Sequence, residues 1–121
     1  MSSYPYKDKD IRMYIDEIRS IAGIIACALV SCEGQIMGEQ HLPGNNLMSS
    51  LFATMSATVL AAAETVCSSV CVQQPLMISI GAEDATVLIA SAGGVVLITA
   101  VIDKSADLPI VKEQISDIAA R

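Results

Sequence analysis

Hydrophobic and polar residues alternate along the chain in patterns that predict three helices and five strands. Spacings of three and four between apolar residues mark the helices, while uninterrupted apolar runs of about eight residues mark strands covered on both faces. The predicted elements are, in order, a helix from Asp8 to Gly23, strands at Ile24–Ser31 and Gln35–Gln40, a long helix at Asn45–Val72 capped by Asn46, strands at Leu76–Gly81, Ala85–Ala92 and Val95–Asp103, and a helix from Leu108 to Ile118.

The long central helix carries two lines of small or apolar residues, about 140° apart at 100° per residue. The first line is predicted to face the core and contains Met48, Phe52, Met55, Val59, Ala62, Val66 and Val70. The second line contains Ala53, Ala57, Leu60, Glu64, Cys67 and Cys71. Because a solvated helix face normally carries charged residues, the second line is predicted to be covered by a second chain.

Neutral residues extend well beyond this helix. Glu64 is the one formal charge between Leu42 and Ala82, and the third strand, Leu76–Gly81, has neither a charge nor an internal proline to prevent edge pairing. The helix and the strand together predict a two-fold homodimer that buries at least ~1,600 Å² in total. The predicted interface residues are Ala53, Ala57, Leu60, Glu64, Cys67, Met77, Ser79 and Gly81.

Composition agrees with a chain that associates. Its 121 residues fit one domain over residues 8–121, after a loose tail at residues 1–7, and 53% hydrophobic against 17% charged residues leaves little polar surface for a lone domain. A net charge of −6 argues against nucleic acid or an anionic membrane as a partner. The serines, threonines and Glu64 of the long helix, without basic anchors at its ends, argue against membrane insertion. Because the polar N-terminus lacks a signal core, we expect a cytoplasmic protein with reduced thiols.

Residues able to carry chemistry are few. The four cysteines, Cys27, Cys32, Cys67 and Cys71, lack a complete metal-ligand spacing and are predicted to be small buried residues, with no metal or cofactor bound. A role for His41 as a general base would need a positioned partner, and none is evident. The sequence has neither GxxxxGK[ST] nor GxGxxG, so we expect no nucleotide site of its own. Arginine is limited to Arg12, Arg19 and Arg121, and we expect none of them to act as an arginine finger.

Four passages give the chain a family resemblance: the strand–turn–strand Ile24–Glu39 with Glu33-Gly34 at its turn, the AAAE of Ala61–Glu64, the hairpin turn Gly93-Gly94, and Asp103 leading through Leu108–Val111 into the last helix. With these passages, residues 9–119 resemble the roadblock family (dynein light-chain roadblock type) of the roadblock/longin superfamily. The resemblance implies a three-layer α/β/α sandwich whose five-stranded antiparallel sheet has the order 2-1-5-4-3. The long helix would cover one face and the terminal helices the other.

The same resemblance implies a function without catalysis. Members of the family form homodimers through their third strands and long helices, and they serve as platforms or regulators for Ras-like small GTPases or as adaptors. On this hypothesis the acidic turn residues Glu83 and Asp84 would meet basic groups of a GTPase. Two alternatives remain open: a domain that senses a small molecule, and a metal or redox protein that uses the cysteines.

Overall fold

A computed structural model describes residues 8–41 and 50–120 of the chain. The helices are α1 (Asp8–Arg19), α2 (Ser50–Ser69) and α3 (Leu108–Ala119), and the strands are β1 (Ile24–Ser31), β2 (Ile36–His41), β3 (Met77–Gly81), β4 (Ala85–Ala92) and β5 (Val96–Asp103). The predicted number, type and order of elements are confirmed. The predicted cap Asn46 and the predicted tail at residues 1–7 lie outside the described residues.

The five strands form one sheet in the order β2-β1-β5-β4-β3, and every neighbouring pair is antiparallel. This order confirms the predicted fold class. The central strands β1 and β5 are buried along almost their whole length, as their uninterrupted apolar runs predict. The edge strands are β2 on one side and β3 on the other.

Two apolar clusters lie on opposite faces of the sheet and give the three-layer arrangement. On one face, Ile15 and Ile18 of α1 and Ile115 of α3 pack on inward residues such as Leu29 and Leu88. On the other face, α2 packs on side chains from β1, β4 and β5. Successive strand residues alternate between the two clusters because side chains along a strand point alternately to each face.

The connection from β5 to α3 is organised by two carboxylates. Asp103 accepts hydrogen bonds from the backbone N–H and the hydroxyl of Ser105, each at 2.9 Å, and these bonds lower the pKa of Asp103. Asp107 caps α3 by accepting from the N–H of Ile110 at 3.3 Å. The turn thus begins α3 directly above the α1 side of the sheet.

Gly23, which joins α1 to β1, lies against this same turn. Its φ of +96° is a left-handed conformation, its carbonyl accepts from the N–H of Asp103 at 2.8 Å, and a Cβ there would collide with the Cβ of Ala106. Gly94 in the β4–β5 hairpin also has a left-handed φ, +81°, but a Cβ there would meet no atom within 4 Å. A substitution at Gly94 would therefore introduce backbone strain alone, whereas one at Gly23 would introduce backbone strain and a steric collision.

We expect Gly94→Ala to lower the free energy of unfolding by about 1 kcal/mol, which is the cost of a left-handed alanine. Gly23→Ala should lower it by about 2–4 kcal/mol, because the same strain is joined by overpacking against Ala106. Urea unfolding of the two variants and the parent measures the difference. Equal losses in the two variants would show that Ala106 yields without cost.

Candidate interaction surface

The face that α2 presents to the sheet is the small-residue face. Ala53 and Leu60 are 0% and 7% exposed, and they pack with Ala26, Ala28 and other side chains of the second cluster. Phe52, Ala57 and Val59 lie partly buried along the border of this contact. Ala53 and Leu60 are thus already covered by the sheet in the single chain, and a dimer interface that includes them stays a prediction.

The bulky line predicted to be core is largely on the outside. Met55, Val66 and Val70 are 49%, 63% and 64% exposed. Helix α2 approaches Ala26 and Ala28 of the sheet through Ala53, Ser56 and Leu60, so the residues on its other sides are left outward. At the start of α2 the backbone itself makes such an approach: a Cβ on Gly34, in the β1–β2 turn, would lie 2.9 Å from the Cα of Thr54.

Exposed apolar side chains also occur at the edge of the sheet formed by β3. Leu76 and Ile80, before and within β3, are largely exposed, and Ile78 of β3 contributes to the same cluster as α2. By strand alternation, Leu76, Ile78 and Ile80 all point to the α2 side. We call Met55, Val66, Val70, Leu76 and Ile80 the outer apolar surface. Exposed apolar residues in one region of a protein mark an interaction site when they are grouped rather than scattered.

The remaining residues of the predicted interface belong to β3 and α2. Ser79 and Gly81 on β3 are exposed, Met77 is half-buried, and Glu64 and Cys67 on α2 are exposed and half-buried respectively. A groove of about 570 Å³ follows the beginning of β3, with Glu64, Leu76 and Met77 in its wall together with Ala119 of α3. The acidic residues Glu83 and Asp84 are exposed in the turn that follows β3.

The four cysteines differ in burial. Cys27 is buried under α1, where its thiol donates to the carbonyl of Ile15 at 3.8 Å, whereas Cys32 and Cys71 are exposed. All four are free thiols, and no group of three or more potential metal ligands occurs among residues 8–41 and 50–120. The prediction that all four are buried is wrong for Cys32 and Cys71, which occupy a turn and a helix end.

Cys71 ends α2 in a way that the sequence pattern does not reveal. Its φ is +61°, the N–H of Val72 donates to the carbonyl of Cys67 at 3.0 Å, and the N–H of Cys71 donates to that of Ser68 at 3.2 Å. This is the Schellman arrangement, in which glycine is the usual left-handed residue. The helix therefore stops at Ser69, three residues before its predicted end.

The other residues considered for chemistry give no assembled site. Arg12 is exposed on α1, and Arg19 is half-buried near Cys27. The side chain of His41 and all of Arg121 lie outside the described residues. The helix Ser50–Ser69 is long and apolar enough to cross a membrane by length and composition alone. Of its most apolar stretch of 18 residues, 17% is buried in the structure. In this fold, however, the same helix forms one layer of the sandwich.

No protein-family model and no curated protein sequence matches the chain. Among solved structures, MglB of Myxococcus xanthus is similar with a TM-score of 0.87 and 16% identity, over 98% of this chain and 89% of that one. A structure described as MglB with a tetrameric arrangement gives 0.80 and 18%, over 98% and 88%. A Roadblock/LC7 domain from Streptomyces avermitilis gives 0.78 and 9%, over 88% and 89%. These similarities confirm the roadblock fold predicted from the sequence resemblance.

The buried thiol of Cys27 makes stability depend on pH. Burial raises its pKa from 9.0 to about 11, and nearby Arg19 only partly opposes the rise. Because the folded state holds this proton more tightly than the unfolded state, the contribution is present at neutral pH and is lost as the pH rises toward 11. Urea unfolding between about pH 8 and about pH 11 should therefore show a steeper loss of stability for the parent than for Cys27→Ala. Parallel losses in the two proteins would contradict this.

Proposed function

We propose that this chain is a non-catalytic regulatory or scaffold module that works as a homodimer and binds a Ras-like small GTPase, or serves as an adaptor in a larger assembly. The observation that carries the proposal is the outer apolar surface beside the uncovered strand β3. Strand β3 is half-buried at Met77 and Ile78, whereas Ser79, Ile80 and Gly81 are exposed. A second copy would cover both features at once.

A two-fold dimer is the simplest assembly that uses both parts of the surface. Pairing of β3 with its equivalent would extend the sheet and bring the two α2 helices to the same side, where Met55, Val66 and Val70 are exposed. The MglB structure described as tetrameric supports association of this fold beyond a monomer. Glu64 would lie at the border of such an interface, where its carboxylate keeps water.

The dimer proposal is tested with Val66→Lys combined with Ile80→Lys. Both side chains are exposed in the single chain, at 63% and 43%, so the variant should fold. We expect it to have the monomer mass of 12.7 kDa in light scattering while the parent has twice that mass, because buried unpaired lysines are costly. Met13→Lys with Ile110→Lys adds the same charge at exposed residues of α1 and α3 and should remain a dimer. Loss of the dimer in the control alone would move the interface to the α1–α3 face.

Binding of a GTPase would use surface that the dimer leaves open. The acidic residues Glu83 and Asp84 directly follow the dimerising strand, so a partner that contacts both subunits near the two-fold axis would meet two copies of this turn. Complementary charge at the edge of an interface accelerates association and sets orientation. Basic groups on the GTPase are therefore the expected counterpart, and the regulator would act by holding its switch loops in place.

The GTPase proposal is tested by capture on the immobilised dimer from a native extract loaded with GDP or with a slowly hydrolysed GTP analogue. We expect a Ras-like GTPase whose retention depends on the nucleotide. Glu83→Lys with Asp84→Lys should weaken its binding about tenfold, equivalent to about 1.4 kcal/mol. Glu113→Lys with Asp117→Lys, which makes the same charge change on the exposed side of α3, should bind like the parent. Capture of no GTPase, or of one indifferent to nucleotide, would contradict the proposal.

A further inference from the structure

The hydrogen bonds between β3 and β4 fix which backbone groups of β3 are free. The N–H of Ser91 donates to the carbonyl of Leu76 at 3.2 Å, and the N–H of Ala82 donates to that of Ala85 at 2.9 Å. Between these bonds the register runs without a shift from Met77 opposite Ala90 to Gly81 opposite Thr86. Antiparallel pairs alternate between bonded and non-bonded residues, so Leu76, Ile78, Ile80 and Ala82 direct their backbone groups to β4.

The alternate residues of β3 therefore direct their backbone groups to the open edge. Met77, Ser79 and Gly81 each present one N–H and one C=O outward, and none of the three is a proline. Pro75 is the next residue toward the N-terminus whose backbone would face the open edge, and proline has no N–H to donate. Glu83, the next one in the other direction, lies in a bend after the strand has ended. The usable hydrogen-bonding edge is thus short and centred on Ser79.

Building on the homodimer proposed above, we infer that the two β3 strands pair antiparallel with the two-fold axis at Ser79. Met77 then lies opposite the partner subunit's Gly81, and Ser79 lies opposite the partner subunit's Ser79. This register engages all three outward residues of each chain in about six hydrogen bonds. An axis at Ile78 would oppose Gly81 to the partner subunit's Pro75, and an axis at Ile80 would oppose Met77 to the partner subunit's Glu83.

Side-chain size supports the same register on the α1–α3 side of the sheet. Met77 packs partly on the cluster of that side, while a Cβ on Gly81 would meet no atom within 4 Å. The open space over Gly81 can receive the long side chain of the partner subunit's Met77. With the axis at Ser79, Met77, the largest residue of β3 on this face, lies opposite Gly81, the smallest. The two-fold axis makes this contact occur twice in the dimer.

The α2 side of the pair fits this register as well. Ile78 would lie opposite the partner subunit's Ile80, at a non-hydrogen-bonded pair where side chains approach most closely. Ile80 is 43% exposed in the single chain and belongs to the outer apolar surface. The pairing covers both isoleucines with β-branched partners, the kind of cross-strand contact that stabilises sheets.

Disulfide cross-linking distinguishes the possible registers. In a background with Cys32, Cys67 and Cys71 replaced by serine, single cysteines are placed at Ile78, Ser79 or Ile80, and each protein is oxidised with diamide. We expect rapid covalent dimers from Ser79→Cys, because opposite hydrogen-bonded residues lie about 5.5 Å apart between Cα atoms, within disulfide range. Ile78→Cys and Ile80→Cys should each react slowly, since a residue and its own equivalent would be diagonal neighbours about 7–8 Å apart. The double variant Ile78→Cys with Ile80→Cys should react rapidly, because those two positions oppose each other.

The mass of the reduced proteins separates failure of this register from failure of the dimer itself. A dimer that cross-links fastest at Ile78 or Ile80 alone overturns the axis at Ser79 and leaves the homodimer in place. A dimer that cross-links at none of these positions overturns pairing through β3. A monomer in the reduced serine background overturns the homodimer and the register together. Rapid reaction of Ser79→Cys and of the double variant, with slow reaction of the two single isoleucine variants, supports the inference.

Discussion

The packing of α2 on the sheet determines which of its apolar residues the single chain exposes. Ala53, Ser56 and Leu60 are buried where the helix crosses the sheet, which offers the short side chains of Ala26 and Ala28. Each residue that faces inward on a helix fixes which residues face outward, because the spacing of a helix is rigid. Once this face is inside, Met55, Val66 and Val70 are left largely exposed among the residues that the structure describes. The exposed surface is therefore a consequence of how the core is packed.

The two edges of the sheet differ in a way that follows from helix placement. Helix α1 packs on β1 and β2, and Gly38 of β2 lets Ile11 approach so closely that a Cβ there would lie 2.6 Å from its Cγ2. Helix α3 packs mainly on β4, and of the residues of β3, Met77 packs on the same cluster. Strand β3 is left with one open edge, and it is half-buried at Met77 and Ile78 but exposed from Ser79 to Gly81. Natural sheets protect such an edge with charges, prolines or bulges, and β3 has none of these.

Most of the fold could be predicted from the sequence because period and length of the apolar patterns determine each element. The orientation of α2 could not, because both of its lines have helical spacing and lack charge apart from Glu64. The two lines differ in side-chain size. Size can indicate which line faces the sheet only when the residues of the sheet beneath the helix, such as Ala26 and Ala28 of β1, are known. The Cys71 turn was also missed, since the left-handed position that ends a helix is usually marked by glycine. The neutral strand β3 could be identified, whereas its pairing depends on a second chain that one sequence does not describe.

Affinity and geometry of association would come from different parts of the surface. The outer apolar surface supplies area removed from water, but hydrophobic contact has no direction and tolerates several arrangements. Strand pairing is directional, and a slip by one residue would exchange the face of every side chain. The net charge of −6 opposes association of two copies. Between Leu42 and Ala82, however, Glu64 is the one charged residue, so nearly all of the charge lies outside the segment that contains α2 and β3. At physiological salt, charges separated by more than about 8 Å are largely screened, so repulsion between copies is weak where they would touch. The backbone groups of Met77, Ser79 and Gly81 would then determine the relative orientation of the two subunits. The larger apolar surface would supply most of the binding free energy.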